Sequence, residues 1–340
     1  MKDNSRFISF DIISGILILW MIVYHSFQWA ELEGSMIFHR LLNLFYFFMA
    51  WFYFKAGFLF NNEKPIKENL VSGVTRLIIP MFFWFIIGYL LFIPYLVVIE
   101  GAPIWKLFIW PAYSIISSGD TIGNSPLWFL LSLFIVRILL FFISRLSFFS
   151  ILNIFLLSVL VGWLGSYYSL QLPLGLISTP IGLAFSLSGF LVGRKIKIES
   201  KSKLSIVSVL LVTLLSFFYG SYVDIHTNSL WFGDYFLYIL SSIVLITFLI
   251  PSLFFEVRSI SWIGENSMIF LVSHWPIFTL IKYIWIYFKL ETGYVYAFIL
   301  AFSSIVIGIY LRLKFSDKKL FLDGREVYSL TLKYWYRVSN

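Results

Sequence analysis

The chain has 340 residues, of which 60% are hydrophobic and only 12% are charged, and its mean hydropathy is +0.90. Because about a quarter of the residues in soluble domains are charged, this composition excludes an ordinary soluble protein and predicts an all-α integral membrane protein. The net charge of +8 comes from basic residues in short segments between apolar runs. These segments have no interleaved aromatic patch, so we expect no nucleic-acid partner. The absence of cysteine excludes disulfides and thiolate catalysis.

A membrane-spanning helix needs about 20 apolar residues, and ten segments of the sequence are suitable. In chain order they are roughly residues 10–28, 40–60, 76–98, 127–144, 149–167, 176–193, 204–222, 231–253, 267–287 and 293–313. The short stretch SRLS predicts a tight hairpin between the fourth and fifth spans. We expect a retained first span, one domain over residues 1–340, and a cytoplasmic tail at 314–340 that lies on the membrane surface.

The basic residues predict the orientation of the spans. With the N-terminus inside, most of the 25 lysines and arginines fall in inner segments, whereas Arg40, Lys106 and Lys289 fall in outer ones. Positive residues favour the cytoplasmic side of a membrane. We therefore expect both termini inside and an even number of spans, which places His25 toward the outer end of the first helix.

Two of the four histidines, His25 and His274, lie within predicted spans, whereas His39 and His226 lie in outer loops. An imidazole in hydrocarbon needs partners for its nitrogens, and ionisable groups within spans are usually functional. The alternative for both is a hydrogen bond that packs helices together, and it carries more weight for His274. We place His25 as a catalytic candidate and His274 as a candidate substrate contact.

Several kinds of chemistry lack their sequence patterns. There is no HExxH or other paired metal-ligand spacing, no G-x-S-x-G elbow, no Walker A loop and no GxGxxG. Two intramembrane histidines without a carboxylate make a poor metal site, so we expect no metal. A histidine that acts alone as a general base for a hydroxyl acceptor remains possible, and this chemistry needs an activated acyl donor such as a thioester.

Five segments, in order along most of the chain, together resemble one family of membrane enzymes. They are RFISFDIISGILILWMIVYHS, FYFFMAWFYFKAGFLF, TRLIIPMFFW, NSPLWFLLSLFIVRIL and WIGENSMIFLVSHWPIF. The family that they resemble is acyltransferase 3, whose first span pairs a D-x-x-[RK]-G stretch with a later histidine. No single segment is specific for the family, but the five segments in this order, together with ten spans, are specific for it.

The resemblance implies O-acylation of a saccharide, commonly with acetyl groups. The donor substrate would be acetyl-CoA or another acyl-CoA, with no bound cofactor. The acceptors would be surface polysaccharides, lipid-linked saccharides or glycolipids, and the location would be the bacterial cytoplasmic (inner) membrane. His25 takes the catalytic position and either deprotonates the acceptor hydroxyl or briefly carries the acyl group.

One residue departs from the family pattern, because Ser14 stands where the family has a basic residue. Eleven residues separate Ser14 from His25, so both lie on one helix face about 16 Å apart. The missing cation would hold the donor or polarise its carbonyl, and Lys55 is a candidate replacement. Arg76 is either a ligand for the phosphates of coenzyme A or an ordinary inner-membrane anchor.

Five further residues have weaker assignments. We expect structural roles for Asp11 and Arg137, which are candidates to pair with each other. Asn124, just before the fourth span, is a candidate hydrogen-bond partner for a sugar in an outer vestibule. Trp128 and Trp275 are expected to belong to interfacial aromatic belts.

The sequence leaves other functions open. Intramembrane lysine and histidine residues, ten spans and a polar outer loop at 99–125 would also suit a saccharide exporter or transporter. The loss of the basic residue at Ser14 would suit an inactive acyltransferase homologue, and a polysaccharide polymerase is a third possibility.

Overall fold

The computed structural model describes residues 8–195, 203–252 and 257–315. Within these ranges the α-helices are α1 (Ile8–Trp29), α2 (Met36–Phe45), α3 (Phe48–Phe58), α4 (Ile66–Gly73), α5 (Ile79–Pro94), α6 (Ile104–Ser118), α7 (Trp128–Ile143), α8 (Phe148–Tyr167), α9 (Thr179–Lys195), α10 (Lys203–Tyr219), α11 (Tyr235–Ser252), α12 (Arg258–Glu265), α13 (Ser267–Tyr287) and α14 (Tyr294–Lys314). The strands are β1 (Tyr222–Asp224) and β2 (Ser229–Phe232). The predicted tail beyond residue 315 lies outside the described residues.

The prediction of an all-α membrane protein is confirmed. In the described part of the chain, eight helical segments are long and apolar enough to cross a membrane: Ile8–Trp29, Met36–Phe58, Ile66–Ile99, Ser125–Ile143, Phe148–Tyr167, Pro173–Arg194, Ser267–Tyr287 and Tyr294–Lys314. Two shorter apolar helices, Val207–Phe218 and Tyr235–Ile250, coincide with the predicted seventh and eighth spans. The number of ten crossings and the inside position of both termini stay predictions.

Three local features differ from the predicted spans. The second span is two helices, α2 and α3, which meet at Tyr46 and Phe47. π-helical turns at Val74–Ile78 and Tyr95–Ile99 extend the third span at both ends. The outer segment 99–125 is not simply a polar loop, because it contains the apolar helix α6. The 15 residues of α6 are fewer than the roughly 20 that a span needs, so counting apolar residues overlooked this helix.

The fourth and fifth spans are joined by the predicted four-residue connection, but both α7 and α8 pack against α9. Helix α9 also approaches α3 closely. A Cβ atom added to Gly57 would lie 1.8 Å from the carbonyl oxygen of Ser186, and one added to Gly189 would lie 2.1 Å from the carbonyl oxygen of Phe54. Small residues permit such close packing where membrane helices cross.

Helix α1 runs through the interior of the bundle and packs against α3, α12, α13 and α14. Most of its residues are buried, which is why it is apolar on all sides rather than amphipathic. The antiparallel hairpin β1–β2 follows α10 and brings the loop between its strands close to the second half of α1. The central helix and this hairpin position the candidate site.

Candidate functional site

His25 lies in the wall of a cavity of about 220 Å³, which we call the His25 cavity. Its Nδ1 atom is 2.7 Å from Oε1 of Gln28, one turn later on α1. Among the described residues, Nε2 of His25 has no hydrogen-bond partner. The ring is only partly buried. A ring nitrogen with a free lone pair beside a cavity is suited to accept a proton from a bound hydroxyl.

His274 lies behind His25 instead of in the cavity wall. The two imidazole rings stack with centroids 5.4 Å apart and an angle of 19° between their planes. His274 is 0% exposed, and its Nδ1 donates a 3.0 Å hydrogen bond to the carbonyl oxygen of Phe270. This placement does not fit the expected direct contact with substrate. His274 instead supports one face of the His25 ring.

Two tryptophans that were expected in aromatic belts also line the His25 cavity. Trp275 and His25 form a T-shaped contact, with centroids 5.2 Å apart and planes at 82°. Trp128 stacks on His226 from the β1–β2 hairpin, with centroids 4.6 Å apart and planes at 12°. Both tryptophans therefore face a cavity within the protein, and their place in an aromatic belt stays a prediction. Both rings lie within segments that carry the family resemblance, and that was the signal in the sequence.

The hairpin supplies wall residues that the sequence did not single out, namely Tyr222, Asp224 and His226. His226 was set aside as a solvated loop histidine, yet its ring covers Trp128. Burial raises the pKa of Tyr222 well above its usual range, so its hydroxyl stays protonated and can donate. Nothing in the sequence around 222–232 marks these residues, because their position depends on how the hairpin folds back against α1.

A second cavity, of about 250 Å³, adjoins the first and is lined almost entirely by apolar side chains. We call it the Lys55 cavity, since Lys55 supplies its positive charge. The two cavities share the wall residues Met21, Met49, Phe129 and Leu271. A ligand that extends from one cavity into the other would pass these four side chains.

The ammonium group of Lys55 lies beside Ser14 on α1. Its Nζ donates a 2.8 Å hydrogen bond to Oγ of Ser14 and lies 3.9 Å from Oδ1 of Asp11. Oγ of Ser14 also accepts a 3.0 Å hydrogen bond from Nε1 of Trp51 and donates to the carbonyl oxygen of Phe10 at 2.7 Å. Ser14 is fully buried and lines neither cavity, so the serine holds the lysine in place.

A third cavity, of about 280 Å³, carries three cations: Lys64, Arg76 and Arg137. We call it the Arg76 cavity, and it shares Ala56, Leu59 and Leu133 with the Lys55 cavity. Nη2 of Arg137 lies 3.2 Å from Oγ of Ser72 and 3.5 Å from Oδ1 of Asn69, both on α4. Arg137 thus belongs to the wall of this cavity, while the carboxylate of Asp11 lies beside Lys55.

Asn124 does not face an outer vestibule. It is 0% exposed, and its Nδ2 donates to the carbonyl oxygens of Val272 at 2.9 Å and Trp84 at 3.4 Å. This amide ties the start of the fourth span to α5 and α13. A buried side chain whose Nδ2 joins two helices does not fit the expected sugar contact in an outer vestibule.

The geometry is a series of three cavities with a histidine at one end and a cluster of cations at the other. Within the described ranges, no three histidine, aspartate or glutamate side chains are grouped closely enough to hold a metal ion. A family model described as an acyltransferase domain matches residues 7–313. The chain belongs to the acyltransferase 3 family.

The family assignment confirms the resemblance and identifies a membrane acyltransferase. The matched range contains every residue that lines the three cavities, from Ile18 to Trp275. The chain matches no curated protein and no solved structure.

Proposed function

We propose that this acyltransferase moves an acyl group, in the first instance acetyl, from acyl-CoA to a hydroxyl of a saccharide, a surface polysaccharide or a lipid-linked saccharide or glycolipid. One observation carries the proposal. The Arg76, Lys55 and His25 cavities adjoin one another in that order, because each shares wall residues with the next. An opening past the shared side chains would give a path from the cationic end to the histidine. The order of chemical character along this path matches the order of groups along an acyl-CoA.

The cationic end suits the phosphates of coenzyme A. Arg76 and Arg137 present guanidinium groups, which pair with phosphate oxygens through two parallel hydrogen bonds. Lys64 adds a third positive charge to the same cavity. The pantetheine arm would then lie in the apolar Lys55 cavity, where the ammonium group of Lys55 donates a hydrogen bond to an amide oxygen of the arm.

The histidine end suits the acceptor. The aromatic faces of Trp128 and Trp275 pack against the apolar face of a sugar ring. Nε2 of His25 takes the proton of an acceptor hydroxyl, and the oxygen forms an ester bond to the acyl carbon. The carbon–sulfur bond breaks, and the proton held by His25 passes to the departing thiolate. In the alternative with two steps, the acyl group passes first from the sulfur to Nε2 of His25 and then from Nε2 to the acceptor oxygen.

The orientation follows from the basic residues. With both termini inside, the Arg76 cavity faces the cytosol, where acyl-CoA is made, and the His25 cavity faces outward in the bacterial inner membrane. Membrane lipids surround the spans. Donor and acceptor would then enter from opposite sides, and the acyl group would cross the membrane within the protein.

The position of Lys55 bears on the reading as an inactive homologue. Its ammonium group contacts Ser14, so a cation lies beside the residue that lacks the family's positive charge. The main sequence-based reason to favour an inactive protein is thereby removed.

Acetyl transfer from labelled acetyl-CoA to extracted cell-envelope saccharide tests the proposal, with the purified protein in lipid nanodiscs. The wild type and the control His39→Ala should label the saccharide, because His39 lies on the exposed side of α2. His25→Ala should lower the rate by about 10²- to 10⁴-fold, the usual worth of a general base. Labelling by His25→Ala at the wild-type rate contradicts the proposal.

A further inference from the structure

The hydrogen bond between His25 and Gln28 continues to a charged residue beyond the end of α1. Oε1 of Gln28 lies 2.7 Å from Nδ1 of His25, and Nε2 of Gln28 donates a 2.9 Å hydrogen bond to Oε1 of Glu33. Nε2 of Gln28 is also 3.3 Å from the hydroxyl of Tyr24. Three polar side chains therefore form a line that ends on the catalytic candidate.

The chain turns back sharply to make this possible. Helix α1 ends at Trp29, and Glu31 adopts a left-handed conformation with φ of 59°. The backbone N–H of Leu32 donates to the carbonyl oxygen of Phe27 at 2.9 Å, and that of Ser35 donates to Leu32 at 3.0 Å. This turn returns Glu33 to the side of α1 that carries Gln28.

The charge of Glu33 determines which way the Gln28 amide faces. An ionised carboxylate only accepts hydrogen bonds, so the NH₂ group of the amide must face Glu33. The amide oxygen then faces His25, and because a carbonyl oxygen only accepts, Nδ1 of His25 must carry the hydrogen. A neutral imidazole has one N–H, so Nε2 keeps its lone pair.

We propose that Glu33 and Gln28 are positioning residues that hold His25 in the Nδ1–H tautomer, with Nε2 as the base. This inference rests on the proposed function for its catalytic meaning, but the tautomer is a property of the protein alone. His274 against one face of the ring and the T-shaped contact with Trp275 restrict rotation of the imidazole, so the amide sets the proton position on a ring that is already held. In many catalytic histidines a buried carboxylate accepts the hydrogen bond from Nδ1 and fixes the tautomer. Here the amide of Gln28 contacts the ring, and the carboxylate of Glu33 acts through that amide.

Two variants distinguish control of the His25 tautomer through Gln28 and Glu33, which we call the relay, from simple packing. Gln28→Met keeps the length of the side chain but removes the acceptor. The double variant Gln28→Glu with Glu33→Gln reverses the pair. Residue 28 still accepts from Nδ1, and the hydrogen bond between residues 28 and 33 is kept with residue 33 now as its donor. Glu31→Gln is the matched control for charge, since Glu31 is an exposed acid in the same turn.

The decisive readout is the ¹⁵N spectrum of protein labelled at histidine, recorded in nanodiscs and assigned by the signals that His25→Ala removes. The wild type, Glu31→Gln and the reversed pair should show protonated Nδ1 and unprotonated Nε2 at His25. Gln28→Met should show a mixture of tautomers. In parallel, kcat should fall on the order of 10- to 100-fold in Gln28→Met, as it does when a group that orients a metal-binding histidine is lost. KM for acetyl-CoA should stay unchanged. The reversed pair should restore kcat.

A wild-type His25 that carries its hydrogen on Nε2, or a Gln28→Met spectrum identical to the wild type, overturns the relay. Failure of the proposed function gives a different result. In that case the tautomer still changes in Gln28→Met and returns in the reversed pair, while no form of the protein transfers acetyl groups.

Discussion

Nζ of Lys55 donates a 2.8 Å hydrogen bond to Oγ of Ser14, across 41 positions of sequence. The family pattern that this chain resembles has a basic residue on the first span at the place of Ser14. Here the cation comes from α3 instead, and the serine accepts its hydrogen bond. We propose that Lys55 supplies from α3 the positive charge that the resemblance implies at Ser14.

This relationship predicts that the cation can be returned to α1. Lys55→Met should lower kcat/KM for acetyl-CoA by about 10- to 100-fold, as expected for loss of a charged hydrogen bond that holds the donor. The exchange Ser14→Lys with Lys55→Ser should recover a large part of that loss. Steady-state acetyl transfer measures both.

Lys282→Met is the matched control, because Lys282 is also a lysine within a predicted span but lies over the rings of Trp29 and Tyr95. It should leave kcat/KM for the donor unchanged. An exchange variant no better than Lys55→Met would show that Lys55 acts elsewhere than beside Ser14.

The cations of the Arg76 cavity are expected to bind the phosphates of the donor. Arg76→Gln or Arg137→Gln should weaken binding of coenzyme A by about 10- to 100-fold, since a charged hydrogen bond contributes about 1.5–3 kcal/mol. Isothermal titration calorimetry measures the change, and the outer arginine Arg40→Gln is the control. With S-acetylpantetheine, which lacks the nucleotide and its phosphates, the same variants should keep the wild-type rate. An equal loss with that short donor would contradict phosphate binding.

Much of the site could be predicted from sequence, for a physical reason. An ionisable side chain within an apolar span is costly unless it has a function or a partner, so His25, Lys55 and Arg137 stand out against their surroundings. The resemblance then gave His25 a role. His25, Lys55 and Arg137 each line one of the three adjoining cavities.

The remaining parts of the site depend on packing that the sequence does not reveal. A helix that is apolar all round has no face that marks its interior side, so neither the burial of His274 behind His25 nor the exposure of Trp128 to a cavity could be foreseen. The hairpin that carries His226 has no motif. Gln28 was overlooked because an amide near the end of a helix is common.

Asn124 was expected to contact substrate but instead joins helices, and this placement gives a prediction of its own. The amide joins α5 and α13 from a fully buried position, so Asn124→Ala leaves a buried carbonyl without its donor. We expect a loss of about 1–3 kcal/mol in the free energy of unfolding. Thermal unfolding in detergent should show a lower midpoint, while KM for the acceptor stays at the wild-type value. A normal midpoint with a raised acceptor KM would instead assign Asn124 to the acceptor site.

Trp128 is expected to act on the acceptor alone. Its ring lies in the wall of the His25 cavity, and His226 covers its other face at 4.6 Å. Trp128→Leu should raise KM for the saccharide about three- to tenfold, in line with about 0.5–1.5 kcal/mol for an aromatic contact, and should leave KM for acetyl-CoA unchanged. Trp128→Phe keeps an aromatic face and should lose less.

Initial rates measured while donor and acceptor are varied separately resolve the two KM values. Trp105→Leu, on the exposed surface of α6, is the control and should match the wild type in both. A larger effect of Trp128→Leu on the donor than on the acceptor would place the donor, not the sugar, against this ring. The donor is expected to bind at the cations and the acceptor at the aromatic rings. Substitutions of the cations in the Arg76 cavity should therefore change only the donor kinetics, and substitutions of Trp128 should change only the acceptor kinetics.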